Sequence, residues 1–76
     1  MRNGTYVTRI NGHEIGLIYK GKNQAELYID GIYKGICQFD YFKKKIKKFE
    51  ENPIYLYNLK NADRILLKEL QKPRKS

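Results

Sequence analysis

Two turn dipeptides constrain the fold of this chain more than any other feature of its sequence. Asn11-Gly12 and Asp30-Gly31 each lie between runs in which apolar and β-branched residues alternate with polar ones. Asn, Asp and Gly accept the positive φ angles of a type I′ turn, the most common two-residue connection between antiparallel strands. The sequence therefore predicts two β-hairpins, and consecutive hairpins most simply form an antiparallel meander of about four strands.

The first hairpin has a defined register if Asn11-Gly12 is its two-residue loop. This register pairs Ile10 with His13, Arg9 with Glu14, Thr8 with Ile15, and Tyr6 with Leu17. It collects the apolar side chains on one face of the sheet, as burial of that face requires. The predicted apolar face carries Tyr6, Ile10, Ile15, Leu17 and Tyr19.

The second hairpin turns at Asp30-Gly31 and is predicted to have a similar two-sided pattern. The expected pairs are Ile29 with Ile32, Tyr28 with Tyr33, and Ala25 with Ile36. Its apolar face would then carry Ala25, Leu27, Ile29, Ile32 and Ile36. Tyr28 and Tyr33 oppose each other on the reverse face, and Gly35 nearby is a favourable position for a bulge.

The period of the apolar residues changes from 2 to 3.6 at Asp40, which is a good helix N-cap. Phe42, Ile46 and Phe49 then lie on one stripe of an amphipathic helix, which Asn52-Pro53 ends. Four lysines cover the opposite arc: Lys43, Lys44, Lys47 and Lys48. Lysines near the start of a helix oppose its dipole, so these charges do not serve the stability of the helix.

The last third of the chain is predicted to form a short strand over 54–59 and then a helix. Asn61 is the expected cap of that helix, which extends to about Lys72 and buries Ile65, Leu66 and Leu70. A third hairpin turning at 60–63 is the alternative, but Leu, Lys, Glu and Gln favour the helix. The overall prediction is a small single α+β domain over residues 1–72, followed by a disordered basic tail over 73–76.

The length and the cysteine content limit the class of protein. The chain has 76 residues, enough for one domain that buries roughly 60% of the unfolded surface. Cys37 is the only cysteine, so no internal disulfide forms, and a reducing, cytoplasmic location is expected. Uninterrupted apolar runs fall far short of the ~20 residues that a membrane span needs, and no signal peptide is recognisable.

The sequence contains no pattern of catalytic, metal-binding or cofactor-binding residues. One histidine, His13, and one cysteine do not supply the usual three or four metal ligands, and no nucleophile–base pattern stands out. His13 is expected to be an exposed imidazole at a strand end, and Cys37 a partly buried strand residue. The glycines match neither a dinucleotide-binding motif nor a P-loop. We therefore expect a protein that is not an enzyme and has no cofactor.

The charge distribution is strongly asymmetric. Residues 43–76 contain 11 basic and 4 acidic residues, a balance of +7, whereas residues 1–42 have a balance of only +1. Such an excess is typical of a surface that meets a polyanion. The candidate nucleic-acid-binding residues are Lys43, Lys44, Lys47, Lys48, Lys60, Arg64, Lys68, Lys72, Arg74 and Lys75. Tyr28 and Tyr33 are candidates for stacking on bases if they are exposed.

The kind of basic residue indicates the kind of binding. Lys outnumbers Arg by 12 to 4, whereas reading of bases in the major groove relies mainly on bidentate Arg, Asn or Gln. The expected function is therefore weakly sequence-specific binding of DNA or RNA, dominated by the phosphate backbone.

Three other interpretations start from the same lysines, amphipathic helix and open sheet. A small inhibitor or adaptor would dock the same lysines on an acidic surface of a partner protein, such as a nucleic-acid-binding enzyme. Binding of the helix to a lipid membrane ranks last, because its apolar stripe is needed to cover the sheet. An open meander also leaves two edge strands, and a homodimer through one of them stays an alternative.

The segment from Tyr28 to Asp40 resembles part of a known type of DNA-binding domain. Its order of strand, turn, strand and helix start is similar to the three-stranded-sheet domains of the AP2 and integrase arm-binding types. Those families place basic and aromatic side chains on the sheet face that enters the groove. Here the charge lies on the helix and the tail, so no family is assigned.

Overall fold

A computed structural model describes residues 4–74 and shows a small α+β fold, as predicted. The strands are β1 (Thr5–Ile10), β2 (His13–Gly21), β3 (Gln24–Ile29) and β4 (Ile32–Gln38). The helices are α1 (Phe39–Glu51), a first 3₁₀ helix (Pro53–Asn58), α2 (Asn61–Leu67) and a second 3₁₀ helix (Lys68–Gln71). The strands form one antiparallel sheet in the order β1-β2-β3-β4, which is the predicted meander.

The first hairpin has the predicted register. Each expected pair from Ile10–His13 to Tyr6–Leu17 is present. Asn11 and Gly12 have φ angles of 53° and 81°, and Asp30 and Gly31 have nearly the same values, 55° and 82°. Both turns thus have the positive φ angles of type I′, which explains why the two dipeptides predict the sheet so well.

The second hairpin departs from the predicted register beyond its first two pairs. Tyr28 pairs with Tyr33 as expected, but Leu27 pairs with Gly35, so β4 has Lys34 as an extra residue. Gly35 has a φ of 129° at this bulge, a conformation that favours glycine. The extra residue changes which side chains face inward: Cys37 is buried opposite Ala25, and Ile36 is exposed. The prediction that Ile36 lies on the apolar face is therefore wrong.

The helix α1 begins one residue before the predicted N-cap. Gln38 occupies the cap position without a side-chain hydrogen bond, and Asp40 lies in the first turn. Asn23, in the turn between β2 and β3, caps the helix instead. Its backbone carbonyl accepts from the Phe39 amide at 2.8 Å, and its Oδ1 accepts from the Asp40 amide at 3.0 Å. Two of the free amides at the helix start are thereby satisfied by a neighbouring turn.

The predicted strand over 54–59 is wrong, because residues Pro53–Asn58 form a 3₁₀ helix. Asn52 Oδ1 accepts a hydrogen bond from the Ile54 amide at 3.3 Å, and proline occupies the first helical position. An Asn cap followed by proline favours a helical start. Only Leu56 of this helix is buried. The other apolar residues that suggested a strand are therefore not packed as they would be within a sheet.

The C-terminal helical segment is present, but a different stripe is buried. The chain is helical from Asn61 to Gln71, first as α2 and then as the second 3₁₀ helix. Leu67 and Leu70 are fully buried and Leu66 partly, whereas Ile65 is 77% exposed. Asp63 lies on the buried side because its Oδ2 accepts a hydrogen bond from the Tyr41 hydroxyl at 2.9 Å. Burial of Leu67 and Leu70, together with this bond, leaves Ile65 on the solvent side.

The helices cover one face of the sheet and leave the other open. The apolar stripe of α1 is buried as predicted, and it packs on the inward-facing residues of the strands. The core residues of the sheet are Ile10, Ile15, Leu17, Ala25, Leu27, Ile29 and Cys37, and those of the helices are Phe42, Ile46, Phe49, Leu56, Leu59, Leu67 and Leu70. On the open face, Val7 and Ile36 are more than half exposed.

The start of the predicted disordered tail is held against the first turn. The amide of Arg74 donates to the Asn11 carbonyl at 2.9 Å, and the Asn11 side chain donates to the Leu70 carbonyl at 2.7 Å. Arg74 is thus ordered by contacts that its position in the sequence did not indicate. Lys75 and Ser76 lie outside the described residues.

The two similar turns permit a matched test of this contact. A Cβ atom at Gly12 would lie 2.7 Å from the Arg74 carbonyl oxygen, whereas one at Gly31 would meet nothing within 4 Å. Because both glycines have φ near 80°, Gly31→Ala measures only the cost of the left-handed backbone, about 1 kcal/mol. We expect Gly12→Ala to lower the free energy of unfolding by at least about 1 kcal/mol more, because the C-terminal segment must also move. Urea denaturation measures the free energy of unfolding of both variants. An equal decrease in the two variants would contradict a steric contact between Gly12 and Arg74.

Candidate nucleic-acid interface

Four lysines form a stripe on the solvent side of α1. This lysine stripe consists of Lys43, Lys44, Lys47 and Lys48; Lys43 is partly buried and the other three are exposed. Residues four apart on a helix are neighbours, so the stripe has two rows, Lys43–Lys47 and Lys44–Lys48. Like charges at this spacing destabilise a helix. Each row is therefore unfavourable by itself, although Lys48 in the last turn favours the helix dipole.

Within residues 4–74, no carboxylate oxygen lies within 4.0 Å of an ammonium group of the stripe. The ion pairs in this part of the chain are His13–Asp30, Lys34–Glu69, Lys45–Asp63 and Arg74–Asp30. Glu50, which follows the stripe, instead accepts a hydrogen bond from the Tyr6 hydroxyl at 2.8 Å. The positive charge of the stripe is thus compensated by water and dissolved ions rather than by a described carboxylate.

Aromatic rings lie beneath the lysines on both sides of α1. The Nζ atoms of Lys43 and Lys47 lie 5.5 and 6.0 Å from the centre of the Tyr6 ring. On the other side, Lys48 Nζ lies 5.9 Å from the Tyr55 ring. Cation–π contacts at these distances are weak at exposed sites. They hold the lysine side chains near α1 without neutralising them.

The surroundings of the Tyr6 hydroxyl shift its pKa from the ordinary value. Burial, together with the hydrogen bond to Glu50, raises the pKa of Tyr6 to about 12. The Tyr6 hydroxyl donates to the Glu50 carboxylate, so Tyr6 links β1 to α1. Sequence reasoning assigned Tyr6 only to the apolar face of the sheet.

A recess lies beside the row formed by Lys44 and Lys48. It has a volume of about 210 Å³ and is lined by Tyr41, Lys44, Lys45 and Lys48. Lys45 Nζ lies 5.3 Å from the Tyr41 ring and 4.0 Å from Asp63 Oδ2. Lys45, unlike the stripe, has a carboxylate partner, so it contributes less free charge to this surface.

Among the remaining predicted residues, Lys60 lies close enough to Tyr41 of the first recess to interact with its hydroxyl electrostatically, whereas Lys68 and Lys72 line a different recess. Lys60 precedes α2, and the guanidinium of Arg64 donates to the Leu59 carbonyl at 3.2 Å. Lys68 and Lys72 line a second recess, of about 380 Å³, together with Lys34, Ile65 and Glu69. Lys34 Nζ lies 2.6 Å from Glu69 Oε1. This second basic group is therefore partly neutralised, and sequence reasoning did not include Lys34 in it.

Arg74 and the tyrosine pair lie away from the stripe. The Arg74 guanidinium forms an ion pair with Asp30 at 2.8 Å, on the turn between β3 and β4, and Lys75 lies outside the described residues. Tyr28 and Tyr33 pack together with ring centres 5.5 Å apart. Because neighbours of Tyr28 such as Leu27 and Ile29 point into the core, alternation places the pair on the open face of the sheet. The structure does not bring these rings together with the lysines of α1.

His13 is buried in a polar network, so the prediction that it is exposed is wrong. Its Nδ1 lies 2.7 Å from Asp30 Oδ2, and its Nε2 lies 2.7 Å from the Lys72 carbonyl oxygen. Both partners are acceptors, and an imidazole donates from both nitrogens only when it is protonated. Burial opposes protonation, but the bonds to Asp30 and Lys72 outweigh it, and the pKa of His13 is raised.

Asp30 joins this network from the second turn. The hydrogen bond with His13 is the main reason that the pKa of Asp30 is lowered to about 2, and the Glu14 amide and Arg74 also contribute. We call the contacts of Asn11, His13 and Asp30 with residues 70–74 the C-terminal latch. Only the fold brings these residues together, because His13 and Lys72 are far apart in the sequence.

Within residues 4–74, there is little support for a reactive cysteine, a metal site or an anion site at the start of α1. Burial raises the pKa of the Cys37 thiol to about 11, so it is a poor nucleophile near pH 7. No group of three His, Cys, Asp or Glu side chains in this range is placed to hold a metal ion. A recess of about 370 Å³ at the start of α1 offers no free amides at Phe39 and Asp40, because Asn23 binds both.

No helix within residues 4–74 is long and apolar enough to cross a membrane. Comparison of the chain with protein-family models, curated proteins and solved structures finds no match.

Proposed function

We propose that this protein binds nucleic acid through the phosphate backbone, with weak sequence specificity and without catalysis. The observation that carries the proposal is the lysine stripe, whose four ammonium groups have no carboxylate partner within 4.0 Å among the described residues. A helix face of this kind neutralises phosphates and releases their counterions.

The geometry of the stripe supports contact with the backbone rather than with bases. Its two rows occupy residues 43–48 of α1, about 8 Å of the helix axis, so the four lysines can meet neighbouring phosphates of one backbone. Lysine presents a flexible point charge and lacks the planar fork with which arginine reads guanine. Specificity would then come from the form of the nucleic acid.

We further propose a cytoplasmic location. The single cysteine, Cys37, is buried and has no other cysteine in the chain to pair with. A fold that is stabilised by apolar packing without a disulfide suits a reducing compartment.

A salt series tests the proposed function directly. If the stripe and its neighbours meet about four to six phosphates, log K for a short duplex should fall with log salt at a slope near −4 to −5. Fluorescence anisotropy with labelled duplex DNA, duplex RNA and single-stranded DNA measures this slope. A flat salt response, or no binding at low salt, would contradict the proposal.

The same assay separates this proposal from the adaptor hypothesis. An adaptor that docks on an acidic protein should ignore random nucleic acid at moderate salt and bind one protein with a 1:1 stoichiometry. Salt-dependent binding to all three nucleic acids supports binding through the phosphate backbone instead.

A further inference from the structure

The first 3₁₀ helix exposes aromatic side chains beside the lysine stripe. Tyr55 is 47% exposed and Tyr57 is 57% exposed, and Leu56 between them is fully buried. Burial of Leu56 anchors the helix to the core and fixes the direction of its neighbours. The exposed tyrosines are therefore presented by an anchored element rather than by a free loop.

Tyr55 is the member of this pair that joins the lysine stripe. Lys48 Nζ lies 5.9 Å from the centre of its ring, near the outer limit for a cation–π contact. So loose a contact leaves the ring nearly half exposed and the ammonium group available to an anion. Lys44 and Lys48 also line the recess with Tyr41, so an open aromatic face and two free charges lie on one side of α1.

We propose that this surface binds single-stranded nucleic acid, with Tyr55 stacking on a base while Lys44 and Lys48 contact the adjoining phosphates. This proposal rests on the proposed function and names its preferred substrate. Aromatic rings stack on any base, whereas phosphate contacts alone do not distinguish a single strand from a duplex. In a duplex the base faces are covered by their neighbours, so Tyr55 has nothing to stack on.

The tyrosine pair on the open sheet face does not serve this role as well. Tyr33 is 52% exposed, but Tyr28 packs against its ring and donates a hydrogen bond to Glu26 at 3.4 Å. A carboxylate beside the rings repels a phosphate backbone. Tyr33 has nearly the same exposure as Tyr55 without the lysines, which makes it the matched control.

The test compares Tyr55→Leu, Tyr55→Phe and Tyr33→Leu with the wild type. Affinities for oligothymidine and for a duplex of equal length are measured by fluorescence anisotropy across a salt series, after circular dichroism has shown that each variant is folded. Tyr55→Leu should weaken oligothymidine binding at least about fivefold, with an unchanged salt slope and unchanged duplex affinity. Tyr55→Phe and Tyr33→Leu should bind as the wild type does.

The outcomes separate this inference from the proposed function. If the wild type binds both nucleic acids with a steep salt slope but Tyr55→Leu keeps its oligothymidine affinity, the stacking inference is wrong and backbone binding stands. Equal losses in Tyr55→Leu and Tyr33→Leu, or in Tyr55→Leu and Tyr55→Phe, would also overturn it. If the wild type binds neither nucleic acid, both proposals fail.

Discussion

Replacing the whole lysine stripe with glutamine should reduce affinity for nucleic acid by on the order of 100-fold at low salt. Each lysine that meets a phosphate contributes about 0.9 to the salt slope on duplex DNA, so the loss of four should reduce the slope to about −0.5 to −1.5. The fold should survive, because glutamine is a good helix former and removal of like charges at i and i+4 relieves repulsion within α1. Anisotropy measures the affinity, and thermal unfolding verifies the fold.

A charge-matched pair of variants shows whether position or net charge matters. Lys44→Gln with Lys48→Gln removes two charges from α1, and Arg9→Gln with Lys20→Gln removes two charges from exposed positions on β1 and β2. We expect the first pair to lower the salt slope by about 2 and the second to change it little. Equal effects of the two pairs would mean that the total charge, which is +8, attracts nucleic acid without a defined site.

Asp30→Asn should lower the free energy of unfolding by about 1–3 kcal/mol near pH 6. Asparagine tolerates the left-handed conformation at the turn, where Asp30 has a φ of 55°, so the hairpin should persist. The variant loses the carboxylate that lies 2.7 Å from His13 and 2.8 Å from Arg74. The protonated imidazole is then left in a buried position without its counterion, which is the main source of the loss.

The same network predicts how stability depends on pH. The folded pKa of His13 is raised above its usual value, so the folded state binds the proton more tightly than the unfolded state does. Its contribution is complete below about pH 6.5 and is lost as the pH rises through the folded pKa. Asp30, with a pKa lowered to about 2, contributes above its ordinary pKa, and its contribution is lost as the pH falls towards 2.

Urea denaturation across the pH range in which Asp30 and His13 titrate measures both contributions, and NMR of the His13 ring follows its protonation. Wild-type stability should be greatest between about pH 4 and pH 6.5 and should decline above that window. The difference between the wild type and Asp30→Asn should shrink at high pH, where His13 is neutral and the charged partner of Asp30 is Arg74 alone. A wild-type stability that rises from pH 6 to pH 8 would contradict the role of the latch.

The local signals in this sequence predict those parts of the fold that depend on a few adjacent residues. The Asn11-Gly12 turn determines its own register because its positive φ angles and two-residue length leave one pairing of the flanking strands. The stripe of Phe42, Ile46 and Phe49 determines which side of α1 is buried, and hence that the lysines face solvent. The basic part of the candidate site was therefore predictable.

The bulge at Lys34 and the first 3₁₀ helix show where local signals fail. Gly35 indicated a possible irregularity in β4 but not that Ile36 and Cys37 would exchange faces. The apolar run of residues 54–59 resembles a strand, yet the Asn52 cap and Pro53 favour a helical start. The error at 54–59 arises because a short apolar segment is compatible with a strand or a helix. The error in β4 is one of register, because the bulge inserts one residue and reverses the faces of those that follow.

The sequence by itself determined a four-stranded meander, an amphipathic helix and a surplus of lysines on the exposed side of that helix. The tertiary structure alone decided which groups stand beside those lysines and which do not. It placed Tyr55 next to Lys48, gave Lys45 a carboxylate partner in Asp63, and neutralised Arg74 with Asp30. Periodicity acts over a few residues and can be read from the chain, whereas these contacts join distant segments that only the packed core brings together.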